Sequence, residues 1–333
     1  MVIPWPSRSS YDSDILRRRF FRRLCEFPEP VIRKASVANS TLLKTQVLRP
    51  DFVTQVDAQI SDIVQNDALI EEIKRIWQTS PVILFRKQSL AEEEQVAFSS
   101  KFGSCIEIHR KDNVSPYESK IVYFSTLRYA DGRMVGGFSN GDEAGWHADQ
   151  TYTPNPATGA ILYGVEVPRD GGDMYWSDQY GAYNLLPDDV KALIEGKVGT
   201  FRYAKNVNNS EVKGKEKEML ALPDGLHEVV ITHPMTGKKC LYADPTRLVS
   251  IAGLSEEENE RILPILFKAA QDPSLAYRHG VKSGDVMMWD NGTTLHKRDA
   301  ISLEQPRLMK RTTFRLPPDT HALPSGCRQA AAA

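Results

Sequence analysis

A mainly β domain with helices at its periphery, closed as a sandwich or barrel, is the fold the sequence predicts. Three observations carry this. Short apolar or β-branched runs recur through the chain, most bounded by Gly, Pro, Asp or Asn. No regular helix alternates with them, which disfavours a doubly wound parallel sheet. The helical signals that do occur fall mainly before residue 105 and across 256–271.

Along the chain, residues 55–79 predict a helix, with Ile60, Ile63, Val64, Ile70, Ile73, Ile76 and Trp77 at helical spacing. Val82–Phe85 predicts a buried strand. Ser89 with Glu92, and Ser255 with Glu258, have the spacing of capping boxes that open helices ending near Phe102-Gly103 and at 271. Strands are predicted at Ile121–Phe124, Gly159–Val167, Met174–Ser177, Thr200–Tyr203, Glu228–Thr232, Lys239–Tyr242, Val286–Trp289 and Thr312–Leu316. Lys205–Leu220 is polar and contains Asn208-Asn209, so it predicts a long solvated loop, a candidate lid.

The 333 residues divide into an N-terminal extension (1–50), one domain (51–320) and a tail (321–333). Arg17, Arg18, Arg19, Arg22 and Arg23 make the extension basic, but Asp12 and Asp14 precede them, unlike a transit peptide. Acids and bases nearly cancel, 43 against 42, so nothing demands nucleic acid or an anionic membrane as partner. No apolar run approaches the roughly 20 residues that span a bilayer. Cys25, Cys105, Cys240 and Cys327 are scattered and form no CxxC pair, which predicts reduced thiols and a cytoplasmic protein. A homo-oligomer, dimer or tetramer, working on a small molecule is the expected assembly.

The chemistry concentrates in Gly145-Trp146-His147-Ala148-Asp149-Gln150. Residues two apart on an extended strand face the same way, so His147 and Asp149 can grip one ion. An imidazole and a carboxylate are two-thirds of the facial triad that leaves open positions on iron(II). His296 follows the run Val286–Trp289 and a turn, and supplies the third ligand. Beyond it, Arg307 and Arg311 suit a doubly anionic cosubstrate, because a guanidinium grips a carboxylate through two parallel hydrogen bonds.

Ordered motifs across residues 45–318 make the chain resemble the taurine dioxygenase and 2,4-dichlorophenoxyacetate dioxygenase family of iron/2-oxoglutarate oxygenases. These are Val82-Ile83-Leu84-Phe85-Arg86, Phe102-Gly103, Trp146-His147-Ala148-Asp149 and Pro168-Arg169-Asp170-Gly171-Gly172-Asp173. His233-Pro234 with Gly237, Leu241-Tyr242, Trp289-Asp290-Asn291 before His296, and Arg307 with Arg311 complete the series.

The resemblance implies a double-stranded β-helix, a jelly-roll or cupin-like barrel, with His147, Asp149 and His296 as Fe(II) ligands and catalytic centre. It implies 2-oxoglutarate and O2 as cosubstrates, with oxidative decarboxylation driving C–H hydroxylation or a related oxidation of a small organic acid. Arg307, eleven residues past His296, matches the arginine that binds the far carboxylate of 2-oxoglutarate. Arg311 matches a position facing the anionic end of the prime substrate, and His109 lies close to a substrate-contacting histidine. Two positions depart from the family. Met174 stands where a threonine hydroxyl commonly supports 2-oxoglutarate, leaving Ser177, or a hydroxyl from adjoining strands, as the substitute. Glu143 stands where an asparagine is found near substrate, and predicts a contact to an amine on an amino-acid-like carboxylate. A zinc-dependent hydrolase would also use His-Asp-His but leaves Arg307 and Arg311 unexplained. A non-catalytic metal-binding barrel protein is the other alternative, and the intact set of four residues disfavours it.

Overall fold

The computed structural model describes residues 2–3, 43–108, 113–136, 141–203, 223–324 and 327. Its largest sheet has eight strands. From one edge they run Thr45–Arg49, Val53–Val56, Val82–Phe85, Val286–Asp290, Gly159–Glu166 and Leu308–Arg315. Ser104–Cys105 and Val122–Ser125 both pair with the last of these. Pairing is antiparallel except between Val53–Val56 and Val82–Phe85. A second sheet of four antiparallel strands runs Ala276–His279, Met174–Asp178, Thr294–Arg298 and Ala144–His147.

The central strands of the large sheet are buried on both faces, which is why they read as apolar runs without alternation. Their side chains nonetheless divide with the period of two that a strand imposes. Ile83, Phe85, Ile161, Tyr163, Val286, Met288 and Phe314 join a core with helices Asp67–Trp77 and Glu92–Ser100. Leu84, Ala160, Leu162, Met287, Trp289 and Met309 face the other way and pack with Met174 and Trp176 of the small sheet. The two sheets are therefore opposed layers of a sandwich. The outer side of the small sheet is covered in part by helix Glu256–Ala270, in whose core Leu295 lies. A three-stranded sheet (Gly225–Glu228, Val198–Phe201, Leu248–Ile251) and the hairpin Val230–Thr232 with Lys239–Leu241 belong to the same flank. None of the described helices is long and apolar enough to cross a membrane.

Several boundaries differ from the sequence reading for local reasons. The helix expected over 55–79 is two helices, Ile60–Ile63 and Asp67–Trp77, because Asn66 breaks in and caps the second with its side chain. Ser89 is not a cap. Helix Glu92–Ser100 starts two residues later, and Glu94 reaches back to the backbone N–H of Ala91. Glu92 is instead buried, accepting from the hydroxyls of Tyr123 (2.5 Å) and Ser115 (2.6 Å) and pairing with Lys310 at 3.0 Å. The Ser255/Glu258 box is present in full. Short helices Gln179–Leu185 and Asp188–Ile194 lie outside the helices that the sequence predicts. Strand Thr45–Arg49, which lies within residues 1–50, pairs with the domain's large sheet. The basic run near residues 15–24 and the segment Lys205–Leu220 lie outside the described residues.

Residues 321–324 pack against the domain. The His321 ring meets Trp77 edge-on at 5.4 Å, and Ala322 and Leu323 are buried. Burial, then the nearby His233, pushes His321 down to about 4 from an ordinary 6.5. A histidine held neutral in the fold contributes stability above the unfolded value, and that contribution is lost as pH falls below it. His321→Gln should therefore remove up to about 3 kcal/mol of the stability loss between pH 6.5 and 4. Denaturant melts of both proteins across that window check this; parallel pH profiles would show that His321 does not bury as the neutral ring.

Candidate metal and cosubstrate site

His147 and His296 face each other across an antiparallel pair. They are register partners on strands Ala144–His147 and Thr294–Arg298, with ring centroids 4.2 Å apart. Asp149 follows two residues after His147. One ligand atom from each of the three lies within 4.8 Å of the others.

The turn carrying Asp149 is held from below. Asp244 accepts from the Ala148 N–H at 3.3 Å and from the Thr151 hydroxyl at 2.9 Å. The His227 Nε2–H lies 2.9 Å from both Thr151 O and Thr153 O. Gln150 takes φ of +58°, an unfavourable conformation for a residue with a side chain, directly beside the carboxylate. Gly225 comes so close that a Cβ there would stand 2.5 Å from Thr151 O. Asp244, His227 and Gln150 were not singled out from sequence, because nothing local to them marks which turn they support.

Electrostatics prepare the three groups for a cation. Burial alone would raise the Asp149 carboxyl, but Arg311, His296, His147 and the Asn291 amide outweigh it and hold the group below its usual value. His296 is pushed well below 6.5 by burial first, then by His147 and Arg311. Asp149 is thus an ionised carboxylate and His296 a neutral imidazole, the forms that ligate a metal. His147 Nδ1 lies 2.6 Å from Gly145 O, which directs its other nitrogen outward. His296 Nδ1 is buried with no hydrogen-bond partner. Two imidazoles and one carboxylate with an orphaned ring nitrogen fit a divalent transition metal.

Arg307 is 5% exposed, and its side-chain hydrogen bond is one long contact of 3.4 Å from Nη1 to Phe124 O. Burial, then the charge of Arg298, lowers it to about 9. No carboxylate among the described residues pairs with it. Arg311 stands closer to the triad. It donates from Nη1 to Asp149 Oδ1 at 2.7 Å, with its guanidinium over the Phe124 ring at 4.8 Å. The expected substrate contact is here a partner of the candidate metal carboxylate.

Two expectations fail. Ser177 does not line this site. It faces the outer side of its strand, opposite to Met174 and Trp176, and its hydroxyl donates to Ala270 O at 2.7 Å. Period-two alternation makes Ser177 and Met174, three apart, point to opposite sides. Glu143 does not reach the pocket either. It is 53% exposed and ion-paired with Lys297 at 3.0 Å, and Lys297 lies over the outward rings of Trp146 and Tyr175. His109 lies outside the described residues.

A β sandwich that gathers two histidines, an ionised carboxylate and a buried guanidinium with no carboxylate partner among the described residues defines a metal-dependent enzyme with an anionic cosubstrate. Comparison with known proteins makes this specific. Residues 44–313 match the family described as Taurine catabolism dioxygenase TauD, TfdA family. The (S)-phenoxypropionate/alpha-ketoglutarate-dioxygenase of Sphingobium herbicidovorans is 31% identical over 258 residues, 73% of this chain and 85% of that protein. The alpha-ketoglutarate-dependent 2,4-dichlorophenoxyacetate dioxygenase of a Burkholderia species is 27% identical over 282 residues, 81% and 94% of the two. A taurine dioxygenase structure from Burkholderia xenovorans superposes with a TM-score of 0.69 at 25% identity, covering 85% of this chain and 91% of that one. The structure of AAD-2 with Mn(II) and N-oxalylglycine gives 0.68 at 25% identity, covering 85% and 99%.

The chain belongs to the TauD/TfdA family. It is an oxidoreductase, a dioxygenase dependent on Fe(II), 2-oxoglutarate and O2 that acts on a small organic substrate.

Asn291 orients Asp149, donating from Nδ2 to Oδ2 at 3.3 Å while its own Oδ1 accepts from Trp289 Nε1 at 2.8 Å. Asn291→Ala should weaken divalent-cation binding about tenfold or more, as loss of an outer partner of a metal ligand does. Anaerobic Mn(II) titration of the apoprotein measures it, and an unchanged affinity would mean that Asp149 is oriented without Asn291.

Proposed function

We propose that His147, Asp149 and His296 hold the iron(II), and that Arg307 anchors the far carboxylate of 2-oxoglutarate, within a double-stranded β-helix formed by the two opposed sheets. The observation that carries this reading is Arg307: a guanidinium removed from water without a counter-charge is costly, and a dianionic cosubstrate supplies what it lacks. A zinc hydrolase with the same triad has no use for it.

Iron and 2-oxoglutarate together supply an oxidant able to attack an unactivated C–H bond. The protein's residues position and protect. His147, fixed by Gly145 O, and His296, framed by the Trp289 ring at 4.9 Å, present nitrogens from adjacent strands. Asp149 adds the carboxylate while Arg311 and Asn291 hold its two oxygens. Trp176 and Trp289, 5.9 Å apart and fully buried, back the site with apolar surface that excludes water.

The prime substrate is a small organic acid. Arg311 supports this, because an anionic substrate can share or take over the guanidinium that Asp149 holds in its absence. The names of the relatives agree in kind, since phenoxypropionate and dichlorophenoxyacetate are both carboxylates. An amine on the substrate is no longer implied, since Glu143 is already neutralised by Lys297 at the surface. The proposed catalytic domain runs through residues 51–320 and takes in strand Thr45–Arg49, paired with its large sheet, and residues 321–324, packed against it.

His147→Ala should abolish succinate formation with a nearly unchanged apoprotein melting temperature, because the sandwich does not depend on an ion for its core. Wild-type-like turnover in this variant would remove His147 from the metal site. Arg307→Lys should weaken 2-oxoglutarate roughly ten- to hundredfold, as a bidentate charge-assisted pair becomes a point contact. Arg311→Lys should act mainly on the prime substrate, read from Michaelis constants in coupled oxygen-uptake assays; the reverse pattern would exchange the two arginines.

A further inference from the structure

Arg298 is a cation that the proposed site has not used. It lies two residues beyond His296 on strand Thr294–Arg298, in regular pairing with Met174–Asp178: Trp176 is opposite His296, Tyr175 opposite Lys297, and Met174 opposite Arg298. Along this pair, alternation sends Lys297 outward over Tyr175 and places Arg298 on the face of His296. That face carries Met174 and Trp176 and is turned to the large sheet.

The Arg298 side chain is partly buried, and among the described residues its hydrogen bonds go to backbone only. Nη1 donates to Asp299 O at 2.6 Å and Nη2 to Asp142 O at 2.7 Å. Two of the three acids near it, Asp299 and Glu143, have other partners. Asp299 accepts from the Tyr175 hydroxyl at 2.8 Å, and Glu143 pairs with Lys297. Among the described residues no carboxylate forms an ion pair with Arg298. Arg298 is also the charge that acts on Arg307. Residues 299–306 connect the two arginines, so one sits on each layer at the same end of the sandwich. Two guanidiniums at the same end of the sandwich repel each other, and an anion that bridges them stabilises the arrangement. Opposite Arg298, the thioether of Met174 donates no hydrogen bond.

We infer that Arg298 is a second guanidinium for the far carboxylate of 2-oxoglutarate, acting with Arg307 across the sandwich. This rests on the proposed function and assigns to that site a specificity-determining residue. Arg311 is not assigned to this carboxylate, because it pairs with Asp149 and is the guanidinium proposed for the prime substrate. The carboxylate would have one oxygen toward each layer, so the cosubstrate would be gripped between the two sheets and its length measured from the metal. An oxoacid of equal chain length that ends in a methyl group would gain nothing from Arg298.

The test is anaerobic calorimetric titration of the Mn(II)-loaded protein with 2-oxoglutarate and with 2-oxopentanoate, which keeps the carbon chain and lacks the far carboxylate. Arg298→Gln should weaken 2-oxoglutarate about tenfold and leave 2-oxopentanoate within about twofold, because only the dianion loses a charge-assisted bond. Arg298→Lys should fall between the wild type and Arg298→Gln. Melting temperature and Mn(II) affinity of each variant check that the fold and the metal site survive. The inference is overturned if Arg298→Gln leaves 2-oxoglutarate unaffected while Arg307→Gln weakens it, or if both oxoacids weaken equally, which marks Arg298 as a brace for residues 141–143. Wild-type protein that does not prefer 2-oxoglutarate to 2-oxopentanoate, or an Arg307→Gln variant that binds it normally, overturns the proposed function itself and this inference with it.

Discussion

The register that sets His147 opposite His296 is the constraint on which the rest of the site depends. A slip of one residue between these strands would turn one imidazole to the outer face and put Lys297 in its place. What prevents the slip is not at the site. Leu295 must reach the core beneath helix Glu256–Ala270, and Trp146 and Ala148 of the neighbouring segment pack into the same core. Each strand is pinned by apolar side chains on its outer face, and the two histidines take the positions those side chains leave them.

With the register fixed, the remaining problem is electrostatic. The interior of the sandwich holds Asp149, Arg311 and Arg307 where water is largely withdrawn. Asp149 and Arg311 compensate each other directly at 2.7 Å. Among the described residues Arg307 has no such partner, and burial, then the charge of Arg298, lowers it to about 9. A site that stores uncompensated positive charge gives up stability in exchange for affinity toward an anion, because the desolvation has already occurred before the anion arrives. The same reasoning separates Arg311 from Arg307, which adjacent sequence positions alone do not. One is the partner of a ligand carboxylate, the other is vacant.

Residues that reached outward show how a pattern misleads when it lacks a third dimension. Glu143 lies four positions before His147, near enough in sequence to seem a pocket residue, but strand Ala144–His147 carries an irregularity opposite His296–Arg298. The chain ahead of it lies at the surface, where Lys297 meets the carboxylate. Ser177 lies three positions past Met174, and three is an odd number on a strand. The helix boundaries failed more gently. Ser89 and Glu92 have capping-box spacing, but the buried hydroxyls of Tyr123 and Ser115 hold Glu92, and Glu94 serves the cap instead.

The sequence by itself determined the β class of the fold and the central strands Val82–Phe85, Gly159–Glu166 and Val286–Asp290. It also determined the candidate triad, since His147 and Asp149 are one local pattern and His296 is marked by the run before it and the arginines after it. These features are legible because each depends on residues close together along the chain, through period two, turn residues and motif spacing. Only the tertiary structure decided that Asp244 and His227 hold the Asp149 turn, that Arg311 pairs with Asp149, and that Arg298 lies on the face of His296. Those contacts join residues far apart in the chain, and which side of a strand meets which neighbour is fixed by the packing of both sheets at once.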